Sequence, residues 1–187
     1  MVVHDKKNGE IRICVDLRNI NDAYLTDSFP TPFTDEVLYN VGGKEASSFT
    51  NGFSGYHHIK IAKQDWHKTI FVTEGCCYQY IVMPFGLNAP KIFSRVVVAA
   101  FREFIHKFLE VYFDDWTMFG LLKEHVGSLR LIFERCRWYH ISLNIKKSIF
   151  GVPFMILFGH IVCNHGLTVD PTKISIIVNF PPPNSIK

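Results

Sequence analysis

The sequence predicts an α+β fold, with a mostly antiparallel sheet covered on one face by two helices. Three observations carry this. Strand-like and helix-like segments alternate without a regular βαβ repeat. The turn pairs Asn8-Gly9, Glu74-Gly75 and Asp114-Asp115 each sit between β-prone runs. Two long segments, 89–108 and 123–140, place apolar residues at helical spacing on one face.

Taken in order, the opening residues form the return strand of a hairpin around Lys6-Lys7-Asn8-Gly9-Glu10, and residues 11–17 alternate like its partner. Phe29-Pro30-Thr31-Pro32 is an extended connector. A short helix is expected over 34–40, capped by Thr34 and stopped by Gly42-Gly43. Residues 47–50 read as a strand, and Gly52-Phe53-Ser54-Gly55 turns the chain. Residues 69–73 and 76–83 read as a hairpin. The helix over 89–108 aligns Phe93, Val96, Val97, Ala100, Phe101, Phe104 and Phe108. A second helix over 123–140 turns Val126, Leu129, Ile132, Phe133 and Cys136 inward. Short strands fill 142–169, and Asp170-Pro171 opens a last short helix. Pro181-Pro182-Pro183 ends the domain or starts a linker.

At 187 residues the chain suffices for one domain with a real core, or for one large domain cut short. Its 48% hydrophobic and 14% aromatic content excludes a disordered chain. A net charge of +3 neither requires nor excludes nucleic acid, because clustering of Lys and Arg decides that. No apolar run approaches the roughly 18–20 residues of a membrane span, and residues 1–7 lack the apolar core of a signal peptide. Cys14, Cys76, Cys77, Cys136 and Cys163 are odd in number and lack a C-x-x-C spacing, so zinc and a disulfide framework find little support. Reduced thiols in an intracellular protein, cytoplasmic or nuclear, are the expectation. None of the nine histidines is read as a metal ligand; adjacent His57 and His58 would face opposite ways on a strand.

The most informative stretch is Val111-Tyr112-Phe113-Asp114-Asp115-Trp116-Thr117-Met118-Phe119. Two adjacent carboxylates between apolar runs read as a hairpin tip. Burying carboxylates there is costly unless something cationic holds them. Oxygen ligands suit Mg²⁺, and a Mg²⁺ pair is how enzymes handle phosphoryl transfer from a nucleotide. The plainer reading is an Asp-Asp turn, since Asp favours turns.

A series of ordered, well-separated stretches bears on that choice. They are Cys14-Val15-Asp16-Leu17-Arg18-Asn19-Ile20-Asn21, Phe53-Ser54-Gly55-Tyr56-His57, Lys68-Thr69-Ile70-Phe71, Met83-Pro84-Phe85-Gly86-Leu87, Asn88-Ala89-Pro90, Tyr112-Phe113-Asp114-Asp115, Ser142-Leu143-Asn144, Phe158-Gly159-His160-Ile161-Val162 and Val169-Asp170-Pro171. Together they resemble the reverse transcriptase of gypsy-type LTR retrotransposons, in an idiom closest to plant elements. The resemblance implies a polymerase palm with its helix-covered antiparallel sheet, plus a partial fingers subdomain. Fingers would occupy about 1–45 and 60–88 and palm about 46–59 and 89–183, leaving 184–187 as a tail. The implied reaction is RNA-directed DNA synthesis, the attack of a primer 3′-hydroxyl on the α-phosphate of a dNTP, with two Mg²⁺ ions. The implied partners are an RNA or DNA template–primer and dNTP, with no membrane.

By the same resemblance, Asp114 and Asp115 are two of three metal-binding aspartates and carry catalysis. Arg12, with Lys6 or Lys7, would lie on the triphosphate; these could equally be solvated cations on a hairpin. Tyr56 would lie under the incoming sugar, or simply be a half-buried core tyrosine. Phe85 and Gly86 would pack beside the nascent base pair, where glycine lets backbone approach closely. Phe158, Gly159 and His160 would grip the primer 3′ end. Lys91, Arg95, Lys146 and Lys147 are candidates for backbone contacts, or for a solvated helix face.

The sequence also departs from the family's pattern. The position of the first metal aspartate is held by Asn51, nearly isosteric but neutral. One residue fewer than usual lies between Leu87 and Asn88. The first fingers strand is missing, Met1 falls inside the family's conserved region, and thumb, protease, RNase H and integrase are absent. These departures predict a degenerate fragment with a weakened second metal site and impaired catalysis. The alternative expectation is a non-catalytic remnant or a co-opted nucleic-acid- or protein-binding module.

Overall fold

The structure, a computed structural model, describes residues 2–5, 9, 11–25, 28–30, 32–53, 55–87 and 89–181. β1 (Val2–Asp5) pairs antiparallel with β2 (Ile11–Cys14), as the Asn8-Gly9 turn predicts. β2 ends at Cys14 instead of running to residue 17. Asp16 accepts from the Arg18 backbone N–H at 3.2 Å and from its guanidinium at 2.6 Å, which turns the chain into the unforeseen helix α1 (Arg18–Ala23). The same guanidinium lowers the Asp16 carboxyl to about 2. In α2 (Thr34–Val41), Thr34 is the first helical residue and not the cap. Phe33 holds the cap position, without a side-chain bond.

β3 (Ala46–Asn51) leads into a 3₁₀ turn, Gly55–His58, and a second one, Lys63–Thr69. The second replaces the start of the strand expected at 69. The Thr69 hydroxyl donates to the Trp66 carbonyl at 2.8 Å and accepts from the Tyr80 N–H at 3.0 Å. Only β4 (Phe71–Val72) and β5 (Cys77–Tyr78) remain of that hairpin.

α3 (Ala89–Phe101) stops well short of residue 108. A continuing helix would use the Ala100 carbonyl, but Arg135 donates to it at 3.2 Å, and the Phe104 N–H turns to Phe101 instead, at 2.8 Å. Arg135 also pairs with Glu103. Phe104 and Phe108 still pack ring on ring, 5.1 Å apart.

β6 (Leu109–Tyr112), β7 (Asp115–Gly120) and α4 (Leu122–Trp138) follow. The inward stripe of α4 is His125, Leu129, Ile132 and Cys136. Val126 faces solvent, because His125 one position earlier meets Ser48 at 2.6 Å. Phe133 lies half-buried, edge-on to Phe150. A 3₁₀ turn at Ile145–Lys147 precedes β8 (Ile149–Val152), β9 (Phe154–Leu157), β10 (His160–Cys163) and β11 (Gly166–Val169). α5 (Pro171–Val178) is capped by Asp170, which accepts from the Thr172 N–H at 2.9 Å.

The central sheet has the order β6-β7-β3-β8, and every strand pair among the described residues is antiparallel. Alternate residues of a strand face opposite ways. Trp116 and Met118 therefore meet α3 and α4, in a core with Phe93, Val97, Phe101 and Ile132. Phe119 and Phe49 face the other side, where α2 and the small β11-β10-β9 sheet bury Val37, Leu38, Met155 and Val162. No described helix is long and apolar enough to cross a membrane.

Two tests follow from this packing. His125 is buried, and desolvation pushes its imidazole pKa below the ordinary value. A group with a depressed folded pKa contributes stability that is fully present above about pH 6.5 and is lost as pH falls through its folded value. The unfolding free energy from urea melts should fall from pH 7.5 to 5.5, by up to about 1.4 kcal/mol per pH unit. His125→Gln should flatten that dependence, and an unchanged slope refutes the assignment.

Gly55 packs on the buried Phe93 ring, where an added Cβ would come within 2.6 Å of Cζ. Gly55→Ala should cost about 1–3 kcal/mol. Gly127→Ala, on open helix surface, should gain about 0.5–1 kcal/mol. Denaturant melts of the two variants check both signs.

Candidate active site at the Asp114-Asp115 hairpin

β6 and β7 are joined by a two-residue loop, Phe113-Asp114, closed by the Tyr112–Asp115 pair. Such loops need left-handed backbone, and Phe113 adopts it at φ +54. A bulky residue there carries strain on the order of 1–3 kcal/mol, so the surroundings must fix it. The Asp114 carbonyl accepts from the Gly52 N–H at 2.8 Å, tying the loop to the end of β3. The Tyr112 ring packs edge-on against Phe113 on one side and Phe158 on the other, at 4.9 and 4.7 Å.

Asn51 lies directly opposite Asp115 in the β3–β7 register. Its amide donates to an Asp115 carboxylate oxygen at 2.7 Å and, more weakly, to Asp114 at 3.4 Å. Both neighbours can only accept when ionised, so the NH₂ end of the amide must face them. On its other side, the Asn51 backbone carbonyl accepts from the Asn144 N–H at 2.8 Å. Burial raises the Asp115 carboxyl pKa, and the Asp114 charge adds to this. The Asn51 amide and Lys147 oppose it.

A cleft of about 530 Å³ opens beside the hairpin, lined in part by Asn51, Tyr56, Phe85, Asp114, Asn144 and Lys147. Tyr56 rises from the 3₁₀ turn Gly55–His58 and rests against Phe85 and, edge-on, Phe93. Its phenol is pushed up to about 12, by burial first and then by the charges of Asp114 and Asp115. Phe85 is half-exposed at the rim. Gly86 follows at φ +99, its carbonyl held by the Asn21 amide at 2.7 Å.

Phe158 and Gly159 form the tight turn between β9 and β10, at φ +49 and +74. The His160 ring donates to the Phe158 carbonyl at 3.2 Å.

The structure therefore brings Asp114, Asn51, Tyr56 and Phe85 to one cleft. Asp115 joins through the Asn51 amide, Gly86 follows Phe85 without lining the cleft, and Phe158 and Gly159 adjoin the hairpin through Tyr112. Lys147 joins them, whereas Lys91 and Arg95 do not line the cleft; Arg95 lies over the Phe29 ring. Lys6, Lys7 and Asn88 lie outside the described residues, as does the side chain of Arg12, whose backbone belongs to β2. Sequence reasoning missed Gly52, Tyr112 and Asn144 as supports. Gly52 and Asn144 stand in or beside recognised stretches, but only the fold shows that their N–H groups hold the hairpin and Asn51.

Comparison with known proteins gives this cleft a family. A family profile described as reverse transcriptase (RNA-dependent DNA polymerase) matches residues 4–178. The chain is 34% identical over 186 residues to the retrovirus-related Pol polyprotein from transposon opus of Drosophila melanogaster, covering 97% of the chain and 18% of that polyprotein. It is 30% identical over 181 residues to the corresponding polyprotein of transposon gypsy, with 96% and 18% covered. With the enzymatic polyprotein of Cauliflower mosaic virus it shares 33% identity over 146 residues, covering 77% and 21%. The chain thus spans only about a fifth of these relatives. A solved foamy viral protease–reverse transcriptase superposes with a TM-score of 0.87 at 21% identity, covering 98% of this chain and 32% of that one. At that identity the likeness establishes the fold alone. The chain belongs to the reverse transcriptase family, of the type carried by gypsy-like transposon polyproteins.

Proposed function

We propose that the chain is the fingers and palm portion of an RNA-directed DNA polymerase, that it holds a template–primer and a dNTP at this cleft, and that its nucleotidyl transfer is impaired. The foamy viral relatives were solved with double-stranded DNA and with an RNA/DNA hybrid, which supports a nucleic-acid partner. The observation that carries the impairment is the Asn51 N–H donated to Asp115 at 2.7 Å.

Asp114 and Asp115 would hold Mg²⁺. Two carboxylates suit one such ion, which binds through one or two carboxylates plus substrate phosphates. When bound, it would supply charge stabilisation at the transferred phosphoryl group. The third position does not fit a second ion. Asn51 presents donors to the carboxylates, and turning its oxygen outward would sacrifice the 2.7 Å bond.

The remaining residues bind and orient. Tyr56 floors the sugar subsite, Phe85 and Gly86 border the base pair, and Lys147 offers a cation to substrate phosphate. Arg12 with Lys6 or Lys7 would reach the triphosphate, and Phe158, Gly159 and His160 the primer end. A second reading, a binding module without catalysis, is favoured by the same amide, because Asn51 leaves the cleft walls intact. Binding without extension distinguishes the two.

Asn51 also substitutes for a cation electrostatically. In EDTA, Asn51→Asp should melt about 2–4 °C below the parent, the shift that corresponds to roughly 1 kcal/mol, because three carboxylates then repel. Mg²⁺ should restore the variant more than it raises the parent. Equal melting in EDTA removes the argument.

The purified parent should extend a primer poorly or not at all. Losing one transition-state electrostatic contact typically costs on the order of 100- to 1000-fold, and Asn51→Asp should recover part of that. A third protein, Asn51→Asp with one residue inserted after Leu87, tests the short turn into α3. Robust Mg²⁺-dependent dNTP incorporation by the unmodified chain sinks the impairment.

A further inference from the structure

We propose that Lys173 is a phosphate-contacting residue for the primer strand, set over the Phe158-Gly159 turn; this rests on the function proposed above. The side chain of Lys173 lies across Gly159. A Cβ added there would sit 2.8 Å from Lys173 Cδ and 3.0 Å from its Nζ, so the ammonium is at the turn itself. Backbone bonds fix this placement. The Asp170 N–H donates to the Gly159 carbonyl at 3.1 Å, and the Lys173 N–H donates to Asp170 at 2.9 Å, so the start of α5 is fastened to the turn. The turn is fastened in its own right to the acidic hairpin, through the Phe158 and Tyr112 rings at 4.7 Å.

Lys173 is exposed and makes no ion pair among the described residues. Its position is also locally unfavourable. It is the third residue of α5, in a first turn where the helix dipole disfavours a cation. A lysine stem often packs along backbone for burial alone, but that would not explain an unpaired ammonium beside the turn, at the wrong end of a helix. An anion arriving at the turn would satisfy it, and a phosphodiester of the strand gripped there is the anion that the cleft supplies.

The test is equilibrium binding of a fluorescent primer–template at 50 and 200 mM salt. It compares the parent, Lys173→Gln and Lys123→Gln, the last removing an exposed lysine from the first turn of α4. One lost phosphate contact lowers the salt slope by about 0.9. The parent's affinity should therefore fall about 3.5-fold more over that range than that of Lys173→Gln. Lys123→Gln should track the parent. A neutral methylphosphonate placed in turn at each linkage near the primer 3′ end should, at one position, weaken the parent and leave Lys173→Gln unaffected. An unchanged slope in Lys173→Gln, or an equal drop in Lys123→Gln, overturns the proposal while leaving the cleft's function standing. A parent that fails to bind the primer–template overturns both.

Discussion

Six consecutive residue pairs, from Ala46 with Gly120 to Asn51 with Asp115, hold β3 against β7, and the molecule is organised around that register. It decides which side chains face the helices and which face the smaller sheet. It also decides which residue stands opposite Asp115. A slip of one residue would turn every β3 side chain to the other face. It would bring Ser48 out of reach of His125 and carry Asn51 away from the carboxylates. Core and cleft therefore share one determinant, and neither can be shifted alone.

Two tight turns with left-handed backbone, Phe113-Asp114 and Phe158-Gly159, meet through a pair of aromatic rings. Phe113 and Phe158 are not residues that favour such backbone, and their rings supply the packing that offsets the strain. The Gly52–Asp114 bond and the clasp between Asn144 and Asn51 add rigidity from the opposite direction. A site assembled this way keeps its shape when one side chain changes chemistry. That is why an asparagine can stand opposite Asp115 without collapsing the cleft, and why fold and family are so plain.

Much of this was legible in the sequence. The β1–β2 pairing, the hairpin at Asp114, the helix after Asp170 and the starts of the two amphipathic helices depend on local chemistry, and they lie within a residue of where they are expected. What escaped was set by distant partners. Arg135 takes the Ala100 carbonyl and ends α3 early. Ser48 draws His125 inward and leaves Val126 to solvent. Thr69 closes a 3₁₀ turn with Trp66 instead of opening a strand. From the sequence Asn51 is a neutral near-isostere of aspartate; that its amide turns donors toward both carboxylates depends on β3–β7 register, which no local pattern encodes.

The hydrogen bond from the Gly52 N–H to the Asp114 carbonyl has a chemical consequence as well. In a chain free to bend, the backbone nitrogen of a glycine attacks the side-chain carbonyl of a preceding asparagine. Ammonia leaves, and water opens the resulting ring to aspartate or its β-linked isomer. Here that nitrogen is engaged, and Asn51 is held extended in β3, so the folded hairpin protects the amide. Chains that have spent time unfolded lose that protection and gradually acquire an acid at position 51. Unfolding is therefore the condition that exposes this amide to hydrolysis, and only the α-linked product would place an aspartate side chain there.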